Sequence, residues 1–257
     1  MLLAIDSGNT NIVFGVHDGA EWRGVWRSST KGEKTADELA VWMMQLFELK
    51  GLDRNVVDAA IIANVVPSTD FSLRSLCRDH FGIQPLVIGD PDIQLGIELL
   101  TEEPEEAGAD RIVNSIGAFV SYGGPLIVID FGTATTFDVI DTDGNYCGGV
   151  IAPSAAHSVD ALHQAAARLP RVDVRRPPKV IGTTTVTAMQ SGVYWGYVGL
   201  IEGLVRRIRQ ERGVDMKVVA TGGLAQLFAE ATERIDILDK DITLRGLQEI
   251  YRRNGSL

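Results

Sequence analysis

Two stretches of the chain share one pattern of apolar and polar positions. Residues 2–16, LLAIDSGNTNIVFGV, read as an apolar strand that ends in Asp6, turns through Ser7, Gly8, Asn9 and Thr10, and leaves as a second apolar strand. Residues 126–140, LIVIDFGTATTFDVI, repeat the plan, with Asp130 over Asp6, Gly132 over Gly8 and Thr133-Ala134 over Asn9-Thr10. A repeat at about half the chain length predicts two related domains.

The pattern between the two copies extends this outline. Glu21 to Ser29 alternates Trp22, Gly24 and Trp26 with polar residues and predicts a third, half-buried antiparallel strand. Thr35 and Glu38 form a capping-box pattern ahead of Leu39, Trp42, Met43, Leu46 and Phe47 at helical spacing. A buried strand over 56–66 is stopped by Pro67, an amphipathic helix over 71–81 is closed by Gly82, and 85–89 is one more short strand. Three strands followed by alternating helix and strand are the outline of a ribonuclease H-like half, as in actin, sugar kinases and heat-shock chaperones. Gly108, Ala109, Asp110 and Arg111 then open a helix carrying Ile112, Val113, Ile116, Phe119 and Val120.

The second half predicts strands over 126–130, 135–141 and 146–151, a helix from about 154 to 169, and a Pro- and Arg-rich surface loop over 169–178. Thr183, Thr184 and Thr185 precede a long helix through Arg209 that is apolar on more than one face, hence deeply buried or shared with a second subunit. The strand 218–223 runs into Gly222-Gly223, a shape suited to laying backbone against a purine, and a closing helix spans 244–253. The expected fold is α/β: two duplicated ribonuclease H-like domains, 1–115 and 116–257, with the active site in the cleft between them.

Two chemistries fit the repeated turns. Asp, Gly, Asn and Thr are ordinary in tight hairpins. Glycine also lets backbone approach a ligand closely, and the hydroxyls of Thr10, Thr133, Thr135 and Thr136 beside exposed N–H groups suit phosphate. Two such turns together favour a polyphosphate, with Asp6 and Asp130 managing its cations. Asp110 is a candidate carboxylate near a helix start, where Gly108 and Ala109 leave room for a substrate and Arg111 supplies an anion partner. Glu102, Glu103, Glu105 and Glu106 read as a solvated run ahead of that helix, favoured by its dipole.

Charge narrows the choice. The formal net charge of −10 gives no electrostatic footprint for nucleic acid. No Lys or Arg occurs before Arg23, so an anion at the first turn depends on backbone dipoles and metals. Cys77 and Cys147, the only cysteines, form no CxxC pair, and a reducing cytoplasm is the expected compartment. The start lacks a basic n-region, no segment has the length of a membrane span, and the four histidines lack zinc-ligand spacing. P-loop and dinucleotide fingerprints are absent.

Asp6-x-Gly8-Asn9-Thr10-Asn11, Gly108-Ala109-Asp110-Arg111, Asp130-Phe131-Gly132-Thr133-Ala134-Thr135-Thr136 and Thr221-Gly222-Gly223, in this order, resemble the type III pantothenate kinases of the actin-like sugar and acetate kinase superfamily. The resemblance implies ATP-dependent phosphorylation of the primary hydroxyl of pantothenate, the first step towards coenzyme A. It also implies a cytoplasmic homodimer needing Mg²⁺ and a monovalent cation, K⁺ or NH₄⁺. By the same resemblance Asp6, Ser7, Gly8, Asn9, Thr10, Asn11, Ile12 and Val13 hold ATP phosphates and Mg²⁺, the latter at Asp6 directly or through water. Gly132, Thr133 and Gly222 meet ATP from the second half, and Asp130 binds the monovalent cation. Asp110 is the general base, Gly108, Ala109, Asp110 and Arg111 contact pantothenate, and Thr185 reaches substrate across the dimer interface.

Thr101 stands where relatives carry an aromatic residue that touches substrate, and Ser154 where glycine is expected after Pro153. The competing readings are another kinase or a phosphatase of the same superfamily, and a non-catalytic nucleotide-binding accessory transcription factor. The acidic charge, the lack of a DNA-binding motif and the intact Asp110-Arg111 pair stand against the last.

Overall fold

A computed structural model describes residues 1–166 and 169–255. The chain divides into two compact units, Met1–Ser121 with the segment from Asp241 onward, and Tyr122–Lys240. Each is built on one five-stranded mixed sheet.

In the first unit β1 (Leu2–Ser7), β2 (Asn11–His17) and β3 (Trp22–Ser29) form an antiparallel meander, while β4 (Ala59–Asn64) lies parallel to β1 and β5 (Leu86–Val87) parallel to β4. In the second, β6 (Leu126–Phe131), β7 (Ala134–Ile140) and β8 (Tyr146–Pro153) repeat the meander, and β9 (Lys217–Gly222) and β10 (Ile237–Leu238) repeat the parallel pair. The strand orders, β3-β2-β1-β4-β5 and β8-β7-β6-β9-β10, are the same. The duplication therefore covers both sheets, although the sequence repeat is visible only in their first hairpins. Even a closing bond recurs: Val65 N–H donates to Ser7 O, and Gly223 N–H to Phe131 O, each at 3.1 Å.

The helices are α1 (Ala36–Leu49), α2 (Asp70–Ser75), α3 (Ala109–Tyr122), α4 (Ala155–Ala165), α5 (Thr185–Arg212), α6 (Ala225–Ala229) and α7 (Ile242–Arg253). The capping box at Thr35 and Glu38 is present in full. The helix expected over 71–81 is α2 continued by a π-helical turn, Leu76–His80. β4 starts later than expected because Asp53 caps a 3₁₀ turn at Arg54–Val56. The helix expected from 154 to 169 ends at Ala165, and its expected passage through residues 167 and 168 lies outside the described residues.

Strand alternation divides the first core. Leu3, Ile5, Phe14 and Val16 face Leu39, Met43, Phe47, Leu73 and Leu76 on one side of the sheet. Leu2, Ala4, Ile61 and Ala63 face Ile112, Val113 and Ile116 of α3 and Leu244, Leu247 and Ile250 of α7 on the other. In the second unit Ile127, Ile129, Phe137 and Val139 pack on Tyr194, Tyr197, Ile201 and Phe228.

The units do not follow the expected division at 115/116. The first continues to the end of α3, and α7 joins it, because the apolar stripe of α7 completes the α3 side of the first core. Two glycines make the crossing of α3 and α7 close. A Cβ on Gly117 would lie 2.1 Å from Ile242 O, and one on Gly246 would lie 2.0 Å from Val113 O. Thr243 adds a 2.6 Å hydrogen bond to Asn114 Oδ1.

Candidate active site

Asp6 shares its sheet face with Leu2 and Ala4, so its half-buried carboxylate is directed to the α3 and α7 side at the end of β1. Ser7 points the other way and is fully buried, its hydroxyl 2.9 Å from Thr69 Oγ1. The Thr69 hydroxyl also lies 3.1 Å from Asn64 Oδ1 and 2.9 Å from Val66 O, sharing its one proton between them, which ties the end of β1 to the end of β4. Between these anchors Asn9, Thr10 and Asn11 are exposed. Gly8 N–H closes the turn on Asn11 O at 3.0 Å. Thr30, just past β3, donates its hydroxyl to Gly8 O at 2.7 Å and its backbone N–H to Thr10 O at 3.0 Å. Ile12 is buried and Val13 half-buried, packing inward behind the turn.

Asp110 lies in the first turn of α3, a helix that packs on the same sheet face as Asp6. Its Oδ1 accepts from Arg111 N–H at 2.8 Å. A Cβ on Gly108 would lie 2.7 Å from that same oxygen, so glycine is what gives the carboxylate room. Burial, the largest influence, raises the Asp110 carboxyl above its usual range, while the Arg111 N–H and guanidinium pull it back. The glutamates upstream do not enter this balance: Pro104–Glu106 form a 3₁₀ turn, and all three of its residues are exposed.

In the second unit Asp130, Gly132, Thr133 and Gly222 come together at the ends of β6 and β9. Phe131 pairs with Gly222 and Asp130 with Thr221. Gly222 has φ +92°, and a Cβ there would lie 2.5 Å from Asp130 Oδ1 and 2.7 Å from the Phe131 backbone. One on Gly132 would lie 3.6 Å from the same carboxylate. Glycine at 222 thus lets its strand end pass close to the Asp130 carboxylate, where a side chain would collide with it.

The turns are not identical. The last ladder pair, Ser7↔Ile12, leaves four residues in the first turn, whereas Phe131↔Thr135 leaves three in the second. Of the phosphate donors expected here, Thr135 is corrected by its burial, and Thr136 beside it in β7 is turned to a carboxylate. Thr135 is 1% exposed, and Thr136 donates to the buried carboxylate of Asp138 at 3.1 Å. Thr10 and Thr133 remain at the surface.

Thr185 is the first residue of α5, exposed, and preceded by a Thr184–Thr187 capping box. Thr30 and Thr69 went unnoticed in the sequence. A hydroxyl two residues past Pro67 was the available signal for Thr69, and nothing local marked Thr30.

The donor set suits Mg²⁺ and a monovalent cation. Among the described residues no three His, Cys, Asp or Glu side chains converge into a protein-only metal cage. Mg²⁺ is ordinarily held by one or two carboxylates plus phosphate oxygens, and Asp6 beside an exposed, glycine-containing turn offers that. Asp130, with the Gly132 and Gly222 backbone beside it, offers a carboxylate to a larger cation. No helix among the described residues is long and apolar enough to cross a membrane.

Comparison with known proteins finds relatives along the whole chain. The chain is 63% identical over 256 residues to the type III pantothenate kinase of Paramagnetospirillum magneticum, covering 100% of this chain and 98% of that one. It is 61% identical over 254 residues to that of Rhodospirillum rubrum, covering 99% of each. Among solved structures it superposes on a protein from Sinorhizobium meliloti described as a 2-dehydro-3-deoxygalactonokinase, with TM-score 0.63, 12% identity and coverage of 100% of this chain and 98% of that one. It also superposes on one from Campylobacter jejuni described as a Baf family transcriptional activator, with TM-score 0.60, 21% identity and coverage of 99% and 100%. At those identities the two structures speak to the fold alone. The profile of the family described as type III pantothenate kinase matches residues 2–207, and with these relatives it shows that the chain belongs to the type III pantothenate kinase family.

Proposed function

We propose that this protein transfers the γ-phosphoryl group of ATP to the primary hydroxyl of pantothenate, giving 4'-phosphopantothenate and ADP, the first step towards coenzyme A. Family membership across nearly the whole chain, joined to a half-buried carboxylate at a helix start with a glycine making room for it, carries the reading.

Phosphoryl transfer asks a protein to align nucleophile and phosphorus and to neutralise charge. Asp110 accepts the hydroxyl proton as the oxygen attacks the γ-phosphorus and the bond to the bridging oxygen of ADP breaks. Its raised proton affinity suits it to that role. Gly108, Ala109 and Arg111 contact pantothenate beside it. Asp6 to Val13 hold the ATP phosphates, with Asp6 on Mg²⁺. Gly132, Thr133 and Gly222 contact ATP from the second unit, and Asp130 holds K⁺ or NH₄⁺. The cations supply charge neutralisation at the phosphates.

The working form is a homodimer joined along α5, and the compartment is the cytoplasm. Gly192, Gly196 and Gly199 lie on one exposed face of α5, and a Cβ on any of them would meet nothing within 4 Å. Thr185 falls two helical turns before Gly192 on that same face, which supports its role as a contact reached across the interface.

ADP release with pantothenate, compared with a sugar and acetate panel and with no acceptor, in K⁺ and in Na⁺ buffer, tests the reading. The expected result is K⁺-stimulated release with pantothenate alone, with 4'-phosphopantothenate identified by mass. Equal release with another acceptor, or none with any, would overturn it.

A further inference from the structure

We infer that Thr30 is a positioning residue for the ATP phosphates, acting through the Gly8–Asn11 turn. This rests on the assignment of that turn to ATP, and it concerns a residue outside the turn and outside every motif by which the turn is recognised.

A turn that binds a polyphosphate has to present peptide N–H groups to the anion and keep its carbonyl oxygens away from it. In a planar trans peptide the C=O of one residue and the N–H of the next point in opposite directions. Fixing a carbonyl therefore aims the following N–H. Thr30 fixes two in this turn: its hydroxyl holds Gly8 O at 2.7 Å, and its backbone N–H holds Thr10 O at 3.0 Å. Asn9 N–H and Asn11 N–H are thereby directed away from Thr30. A third carbonyl, Asn11 O, is taken by Gly8 N–H. One residue thus sets two of the peptide planes of the turn, from a strand end that is itself anchored by the β2–β3 ladder up to the Asn11↔Ser29 pair.

The second sheet provides an internal control. Its third strand ends at Pro153, opposite Ala134, so Ser154 is the counterpart of Thr30. The Ser154 hydroxyl accepts from His157 N–H at 3.1 Å and caps α4 instead. The two sheets share strand order, yet this hydroxyl clamps a turn in the first and caps a helix in the second. The clamp is therefore an addition to the first turn rather than a requirement of the fold.

Thr30→Val keeps the shape and the backbone N–H bond but removes the hydroxyl, and Thr30→Ser restores it. The assay is steady-state kinetics with both substrates varied, together with MgATP binding by calorimetry and melting temperature. In Thr30→Val we expect KM for ATP and the MgATP dissociation constant to rise about tenfold, the scale of one lost hydrogen bond. KM for pantothenate is expected within about twofold of wild type, and Thr30→Ser within about threefold for ATP. An unchanged KM for ATP, an equal rise for both substrates, or failure of serine to rescue would overturn the inference. Asp6→Asn measured alongside separates the two levels. If Asp6→Asn weakens MgATP and Thr30→Val does not, the clamp is wrong while the turn stands; if neither does, both fall. Should Thr30→Val fail to fold, Thr30→Ala compared with Thr30→Ser decides by the same KM pattern.

Discussion

Gly222 and Asp130 are in contact across neighbouring strands: the Cβ that Gly222 lacks would lie 2.5 Å from Asp130 Oδ1, and its φ of +92° is one that L side chains resist. Gly222→Ala is expected to cost about 1–3 kcal/mol from backbone strain and to push the Asp130 carboxylate aside. Two readouts check it: a melting point lowered by several degrees, and a K⁺ concentration for half-maximal activity raised severalfold. A variant that melts lower but keeps the wild-type K⁺ response would remove Asp130 from the cation site.

Asp110→Asn is expected to lower kcat by about 10²- to 10⁴-fold, the usual contribution of a positioned base. Its stability should move the other way. Burial raises the folded-state pKa of Asp110 above its unfolded value, so the proton it binds contributes stability that is present at low pH and lost as pH rises through the folded value. At pH 7 the wild type holds a partly desolvated charge that asparagine does not. The variant should therefore melt no lower than wild type at pH 7 and lose that advantage in acid. The acid limb of the wild-type kcat/KM profile should lie above the ordinary aspartate range. Wild-type turnover by a folded Asp110→Asn protein would refute the assignment.

Gly117→Ala tests the helix crossing. Its Cβ would fall 2.1 Å from Ile242 O, a backbone atom that cannot rotate away, so α3 and α7 must separate. A loss of roughly 3 kcal/mol or more is expected, larger than an ordinary overpacked side chain causes. Denaturant unfolding measures it, and a cost below about 1 kcal/mol would mean the helices part easily.

Gly196→Arg addresses assembly. No atom lies within 4 Å of the added Cβ, so a single chain accommodates it, whereas a second copy seated on that face of α5 does not. Light scattering should give a dimer mass for wild type and a monomer mass for the variant. A wild-type monomer, or a dimeric variant, would contradict the proposed interface.

The sequence made the fold class legible because the hairpins ending in Asp6 and Asp130 keep both their apolar alternation and their special residues. What it hid were relations set by packing. Nothing local to Leu244, Leu247 and Ile250 says which sheet they cover, since any amphipathic helix fits either. The π-helical turn at Leu76–His80 and the two-residue strand β10 lie below what periodicity resolves. At the site, Asp110 and its glycine were readable because residues 108–111 are contiguous. The Thr30 and Thr69 partners were not, because each reaches its turn across neighbouring strands. Thr135 misled, since a turn shorter by one residue draws it into the ladder and buries it.

The pairing of Leu2 and Ala4 with Leu244, Leu247 and Ile250 also bears on how the chain is made. A nascent polypeptide emerges in order, so the sheet face that α3 covers in part is not completed until residues 242–253 have left the ribosome. The intervening second unit has its own core, internal to residues 122–240, and can consolidate first. For this enzyme, completion of the earliest-translated half is thus a late event in biogenesis.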